Sequence, residues 1–183
     1  MAIQNIAVLG AGQMGNGITQ VAAAAGYNVT MIDIQQEYVD KGLATIERSL
    51  GKLVSKERMS QEDADATLAR ISLSTDRADC ADCDLVVEAV PEIVDLKTSI
   101  FAELDSICKP ETILASNTSS ISISTIADAT NRPDKVIGMH FMNPVPIMKL
   151  VEVINGNKTS SETNAAVIEA SEKMGKIALS CND

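Results

Sequence analysis

Gly10-Ala11-Gly12-Gln13-Met14-Gly15 follows an apolar run from Ile3 to Leu9 and precedes an alanine-rich stretch from Gln13 to Ala25, which Gly26 closes. This placement constrains the fold more than any other feature of the chain. Glycines at that spacing say little by themselves, but between a strand and a helix each has a task. Gly10 permits the tight turn, Gly12 lets the backbone approach a diphosphate, and Gly15 lets the helix pack close to the strand. The helix amino terminus, with Gln13 and Met14 in its first turn, then offers free N–H groups and a favourable dipole to phosphate.

A second short β-branched run, Asn28 to Ile32, ends in Asp33. An acid there accepts hydrogen bonds from a ribose 2′-hydroxyl. Ile34, Gln35 and Gln36 follow, with no Arg placed to meet a 2′-phosphate, so the expected dinucleotide is NAD and not NADP. The competing reading is a glycine turn followed by an unrelated surface Asp.

The βα alternation continues. Gln36 to Val54 carries apolar residues at Val39, Leu43, Ile46, Leu50 and Leu53, the spacing of a helix face. Ser60 with Asp63 resembles a capping box that opens a helix to about Arg70. Strands are expected at Ile71 to Ser74, Asp84 to Val90, Thr112 to Ala115, Val136 to His140, Met148 to Ile154 and near Ile177. Helices are expected at Leu96 to Ile107, Ser122 to Ala129 and Ser161 to Met174. Such alternation implies an α/β fold: a Rossmann-type, mostly parallel sheet with helices on both faces, formed as a single domain over residues 1–183.

Charge narrows the partners. Fifteen Lys and Arg against 25 Asp and Glu leave a net charge of −10, which repels phosphate backbones and anionic lipid, so neither nucleic acid nor membrane is expected. The first basic residue is Lys41, so the amino terminus lacks the positive region of a secretory signal. Four sparse cysteines suit a reducing cytoplasm. Cys80 and Cys83 form a C-x-x-C, but no second ligand pair follows and Asp79, Asp82 and Asp84 crowd it, so no metal site is expected.

His140, the only histidine, stands at the carboxyl end of an expected strand, where ligands of parallel sheets bind. There an imidazole can take a proton from an alcohol as a hydride leaves for a nicotinamide. Position alone leaves open a histidine that merely hydrogen-bonds at the strand end. Ala115-Ser116-Asn117-Thr118-Ser119-Ser120 leaves another strand at the same edge, offering hydroxyl and amide groups to a cofactor or substrate, or simply capping a helix. Glu152 lies inside an apolar run and needs a partner, which an imidazole can be. Arg48, Lys52 and Lys56 recur every fourth residue as a basic stripe that suits phosphates, or as an ordinary solvated face.

Taken together, Gly10 to Gly15, Val87-Glu88-Ala89-Val90-Pro91-Glu92, Ala115 to Ser120, and His140-Phe141-Met142-Asn143-Pro144-Val145-Pro146 with Met148 to Val153 resemble the NAD-dependent L-3-hydroxyacyl-CoA dehydrogenases, including the bacterial 3-hydroxybutyryl-CoA dehydrogenases. The resemblance covers the whole chain. It implies reversible oxidation of a 3-hydroxyacyl-CoA to a 3-ketoacyl-CoA in fatty-acid or butanoate metabolism, including β-oxidation. His140 would be the general base, Glu152 its orienting carboxylate, and Ser119 a hydrogen-bond partner of the reacting oxygen. Glu92, Lys97 and Asn143 match positions that contact NAD, and Ser49 and Lys56 match positions that contact coenzyme A. Family members continue beyond Asp183 into a segment with a catalytic Asn and a helical dimerisation domain. The expectation is therefore an amino-terminal domain that binds NAD but turns over weakly or not at all alone. The alternatives are an NAD-binding module without turnover and a related dehydrogenase acting on a sugar acid.

Overall fold

The computed structural model describes residues 2–183. Strand β1 (Asn5–Leu9) leads through the glycine turn into α1 (Gln13–Ala24), and β2 (Asn28–Ile32) is followed by α2 (Gln36–Ser55) and α3 (Gln61–Ala69). Then come β3 (Ile71–Ser74), β4 (Leu85–Glu88), α4 (Val94–Ile107), β5 (Ile113–Ser116), α5 (Ile123–Ala127) and β6 (Val136–Phe141). The chain closes with β7 (Leu150–Asn155), α6 (Ser161–Lys173) and β8 (Ile177–Asn182).

The eight strands form one sheet in the order β3-β2-β1-β4-β5-β6-β7-β8. The β6–β7 pairing is antiparallel, and every other pairing among the described residues is parallel. β1 shows why helices must cover both faces. Ile6 and Val8 join a core with Ile18 and Ala22 of α1 and Val167 and Ala170 of α6, whereas Ala7 and Leu9 join another with Phe101 and Leu104 of α4. A strand with alternate residues in two cores cannot tolerate a polar face. Met31 of β2 packs with Val39, Ile46 and Leu50 of α2, the face announced by their spacing. Fully burying each of these side chains stabilises the fold by about 1.5–3 kcal/mol.

Ser60 caps α3 by accepting from the Asp63 N–H at 3.0 Å, as its position before the helix implied. Several boundaries move, three of them for reasons visible in the local hydrogen bonds. β4 stops at Glu88 because the Val90 N–H turns back to the Glu88 carboxylate at 2.8 Å. β7 starts only at Leu150, because the Met148 N–H bonds the Pro144 carbonyl in a turn. α5 is shorter than the stretch from Ser122 to Ala129, since the Asp128 and Ala129 N–H groups close its last turn.

A dinucleotide cleft divided by the glycine turn

The three glycines of the turn differ in what demands them. Gly10 has φ +106°, and a Cβ on it would lie 2.5 Å from the Ala89 carbonyl oxygen. A Cβ on Gly15 would lie 1.8 Å from the Gly10 oxygen. Gly12 has φ −70°, which any residue adopts, and a Cβ there would meet no atom within 4 Å. Packing therefore explains Gly10 and Gly15 but not Gly12. A bare backbone facing open space, at a helix amino terminus that no side chain caps, fits a diphosphate in contact with that backbone.

On one side of the turn a cleft of about 380 Å³ is lined by Gly12, Gln13, Asp33, Tyr38, Lys41 and Thr45. One Asp33 carboxylate oxygen accepts from the Ala11 N–H at 2.8 Å and the other from the Ile34 N–H at 2.7 Å. Asp33 thus shapes the glycine turn as well as facing the cleft. Tyr38, Lys41 and Thr45 were not singled out in the sequence. Their signal was their spacing of three and four, which puts them on one face of α2 beside the end of β2.

On the other side a cleft of about 310 Å³ is lined by Met14, Glu92, Lys97, Asn117, Ser119, His140 and Asn143, among others. Residues more than 120 positions apart in sequence thus meet there. Asn117 leaves β5, and its side-chain oxygen accepts from the Phe141 N–H at 2.8 Å, tying the ends of β5 and β6. Glu92 accepts from Thr118 Oγ1 at 2.7 Å, from the Ser119 N–H at 2.9 Å and from Ser119 Oγ at 3.0 Å. Partial burial pushes the Glu92 carboxyl up, but the donated hydrogen bonds and the Lys97 charge outweigh it and hold the group at about 2. Lys97 lines the cleft but is 1% exposed, and its ammonium donates to Glu88 at 2.5 Å and to the Val90 carbonyl at 3.1 Å.

His140 and Glu152 are directly opposed residues of the β6–β7 ladder. His140 Nδ1 lies 3.5 Å from Glu152 Oε2. That is long for a hydrogen bond but within ion-pair distance. Lys176 braces the loop after β6 by donating to the Val145 and Met148 carbonyls at 2.5 and 2.7 Å. Burial and nearby Lys149 lower the Lys176 pKa.

The proposed acyl-CoA contacts lie apart from both clefts. Ser49 is half-buried on α2, and Arg48, Lys52 and Lys56 are exposed, with Lys56 at the helix end. Arg48 reaches back to Thr45 Oγ1 at 3.2 Å and so borders the Asp33 side of the site. Cys80, Cys83 and Cys108 are buried, and burial pushes the Cys83 and Cys108 thiols up to about 11. Among the described residues, no group of three or more His, Cys, Asp or Glu is arranged to hold a metal ion. No helix there is long and apolar enough to cross a membrane.

A doubly wound sheet, a glycine turn with one unexplained glycine and an acid at the end of β2 define an NAD-binding domain of the Rossmann type. The sequence profile described as "3-hydroxyacyl-CoA dehydrogenase, NAD binding domain" matches residues 5–183, and the chain belongs to that family. A probable 3-hydroxybutyryl-CoA dehydrogenase of Deinococcus radiodurans is 55% identical over 96% of this chain and 63% of its own length. The human mitochondrial hydroxyacyl-coenzyme A dehydrogenase is 42% identical over 99% of this chain and 60% of its own. The crystal structure of (S)-3-hydroxybutyryl-CoA dehydrogenase from Ralstonia eutropha superposes with a TM-score of 0.97 at 46% identity, covering 100% of this chain and 64% of that one. The chain thus spans about 60% of these relatives.

Proposed function

We propose that the chain is the cofactor-binding part of an enzyme that interconverts 3-hydroxyacyl-CoA and 3-ketoacyl-CoA, with 3-hydroxybutyryl-CoA as the short-chain case. The observation that carries this reading is the convergence of Ser119, His140 and Asn143 on one side of the Gly12 turn while Asp33 lines the other. NAD, when bound, supplies the two-electron acceptor for the hydrogen on the alcohol carbon. Gly12, Gln13, Met14 and the α1 amino terminus would hold its diphosphate, Asp33 a ribose hydroxyl, and Glu92, Lys97, Asn117 and Asn143 its reactive half.

His140 takes the hydroxyl proton. Its Nδ1 faces Glu152, which leaves Nε2 for the substrate, and the Glu152 charge stabilises the imidazolium that forms. Ser119 Oγ is within reach of Glu92 and can turn to hydrogen-bond the reacting oxygen. Ser49 and Lys56, with the rest of the basic stripe, would receive the coenzyme A moiety. The remaining length of the relatives would complete the substrate wall and the dimer, so this chain alone is expected to bind NAD with little turnover.

Acetoacetyl-CoA-dependent NADH oxidation tests the reading. The full-length protein should oxidise NADH with acetoacetyl-CoA and not with a keto sugar acid. NADH binding without oxidation in the full-length protein would instead support a non-catalytic module.

A further inference from the structure

Glu88 ends β4 with a carboxylate that is fully buried, after Leu85, Val86 and Val87. A lone carboxylate in such a place is strongly disfavoured, and this one is saturated with donors. Oε1 accepts from Ser116 Oγ at 2.6 Å. Oε2 accepts from the Val90 N–H at 2.8 Å and from the Lys97 ammonium at 2.5 Å. Ser116 Oγ in turn accepts from the Thr118 N–H at 3.1 Å, and the Lys97 nitrogen stands 3.4 Å from Glu92 Oε1.

Two arms therefore leave Glu88, one through Lys97 to Glu92 and one through Ser116 to Thr118. They meet where Thr118 and Ser119 donate to Glu92. The result is a closed ring joining the loop after β4 to the loop after β5. Its cleft end carries Glu92 and Ser119, and its buried end is Glu88.

The charges in the ring do not balance: one ammonium lies between two carboxylates, 2.5 Å from Glu88 and 3.4 Å from Glu92. The nearer, fully buried carboxylate captures it, because desolvation removes the water that would otherwise compete. Glu92 is then left free to receive the hydroxyl and amide protons of residues 118 and 119. Were position 88 neutral, Glu92 would be the only carboxylate near Lys97, and its oxygens would turn from Ser119 towards the ammonium.

We propose that Glu88 is a positioning residue of the cleft: by holding Lys97, it keeps Glu92 on Thr118 and Ser119 and so sets the Ser119 hydroxyl. The consequence for catalysis rests on the function proposed above, whereas the consequence for the Ser119 amide does not.

The test uses the 183-residue chain and amide NMR. In the wild type the Ser119 amide proton should resonate far downfield, because it donates to a carboxylate. Glu88→Gln keeps size and removes charge. It should shift Ser119 upfield and weaken NADH binding by about tenfold, the effect of losing one charge-assisted hydrogen bond. The second variant, Glu88→Gln with Lys97→Met, removes the competing ammonium and should return Ser119 downfield. If Glu88 merely filled the core, the double variant would be no better than the single one.

An unchanged Ser119 resonance in Glu88→Gln overturns the proposal, as does a double variant that stays upfield or fails to fold. If Glu88→Gln alone does not fold, a folded double variant with the wild-type Ser119 resonance still supports it. If NADH perturbs neither Met14, Ser119 nor Asn143 in the wild type, the cofactor reading of this cleft fails. The Ser119 comparison among variants keeps its meaning in that case.

Discussion

Glu152 stands opposite His140 because β7 runs back along β6, the one antiparallel step among the described strands. The reversal starts β7 at the edge where β6 ends, so the third residue of one strand faces the fifth of the other. A parallel strand would enter from the far edge and place its early residues away from the cleft. The dyad is therefore a product of strand direction, which the apolar pattern around Glu152 does not reveal.

In the full-length protein, His140→Asn should lower kcat by about 10²–10⁴-fold, the usual contribution of a general base, while NADH affinity stays within about twofold. Glu152→Gln should cost less, because the imidazole remains and only its orientation and charge stabilisation are weakened. Steady-state kinetics beside NADH titration distinguish the roles. Equal losses of turnover and affinity in His140→Asn would make the histidine structural.

Gly12 and Gly15 should separate binding from folding. Gly12→Val places its Cβ where no atom beyond its chain neighbours lies within 4 Å, so the melting temperature should barely move. The same side chain would occupy the diphosphate cradle and abolish NADH binding, for which a micromolar-range Kd is expected, about −8 kcal/mol. Gly15→Ala puts a Cβ 1.8 Å from the Gly10 carbonyl oxygen and should destabilise the fold by about 1–3 kcal/mol or more. Thermal melts and titrations of both variants check the contrast. Gly12→Val with wild-type NADH affinity would remove the basis for placing the dinucleotide here.

Asp33→Ala should weaken NADH binding by about tenfold or more, because it removes the ribose acceptor and frees the Ala11 N–H that shapes the turn. It should weaken NADPH binding less. The carboxylate that repels a 2′-phosphate is gone, while Lys41 still lines the same cleft. The ratio of the two dissociation constants is the decisive measurement, and an unchanged ratio would mean that Asp33 does not select the cofactor.

The first βαβα was legible almost residue by residue. Gly10, Gly12 and Gly15 punctuate it, and the spacing from Val39 to Leu53 has a single helical solution. Local pattern also placed Asp33, His140 and Ser119 at one edge, because strand ends in a parallel sheet share it. Contacts between distant side chains were less legible. Lys97, matched by resemblance to a cofactor contact, is held by Glu88, and nothing in a nine-residue separation announces a buried ion pair. Likewise, Arg132 is 9% exposed and donates to Asp105 and to the carbonyls of Asp105, Cys108, Lys109 and Thr112. No periodicity encodes such a hub, since its partners are mostly backbone.

That hub, with three other acids, fixes the acid stability. Burial opposes ionisation of Asp84, Asp105 and Asp183, but it is outweighed by hydrogen bonds at all three, joined by Lys109 at Asp84 and Arg132 at Asp105, and all three are lowered, as hydrogen bonds and Lys97 lower Glu92 to about 2. A carboxyl with a folded pKa below its unfolded one binds fewer protons when native. Its contribution is therefore complete above the unfolded values of 3.8 and 4.5 and is lost as pH falls through the folded ones. Stability should be level through neutral pH and fall steeply from about pH 4 towards pH 2. Asp105→Asn should flatten that fall and cost stability at pH 7. It breaks a pair whose side chains are both only 10% exposed and leaves Arg132 without its counter-ion, at about 3–5 kcal/mol. Because Asp105 and Arg132 sit at the edge where β5 and β6 begin, NADH affinity at pH 7 should not change. Denaturant titrations from pH 2 to pH 8 check both statements, and an Asp105→Asn protein as stable as wild type at pH 7 would show that the hub is held by its carbonyls alone.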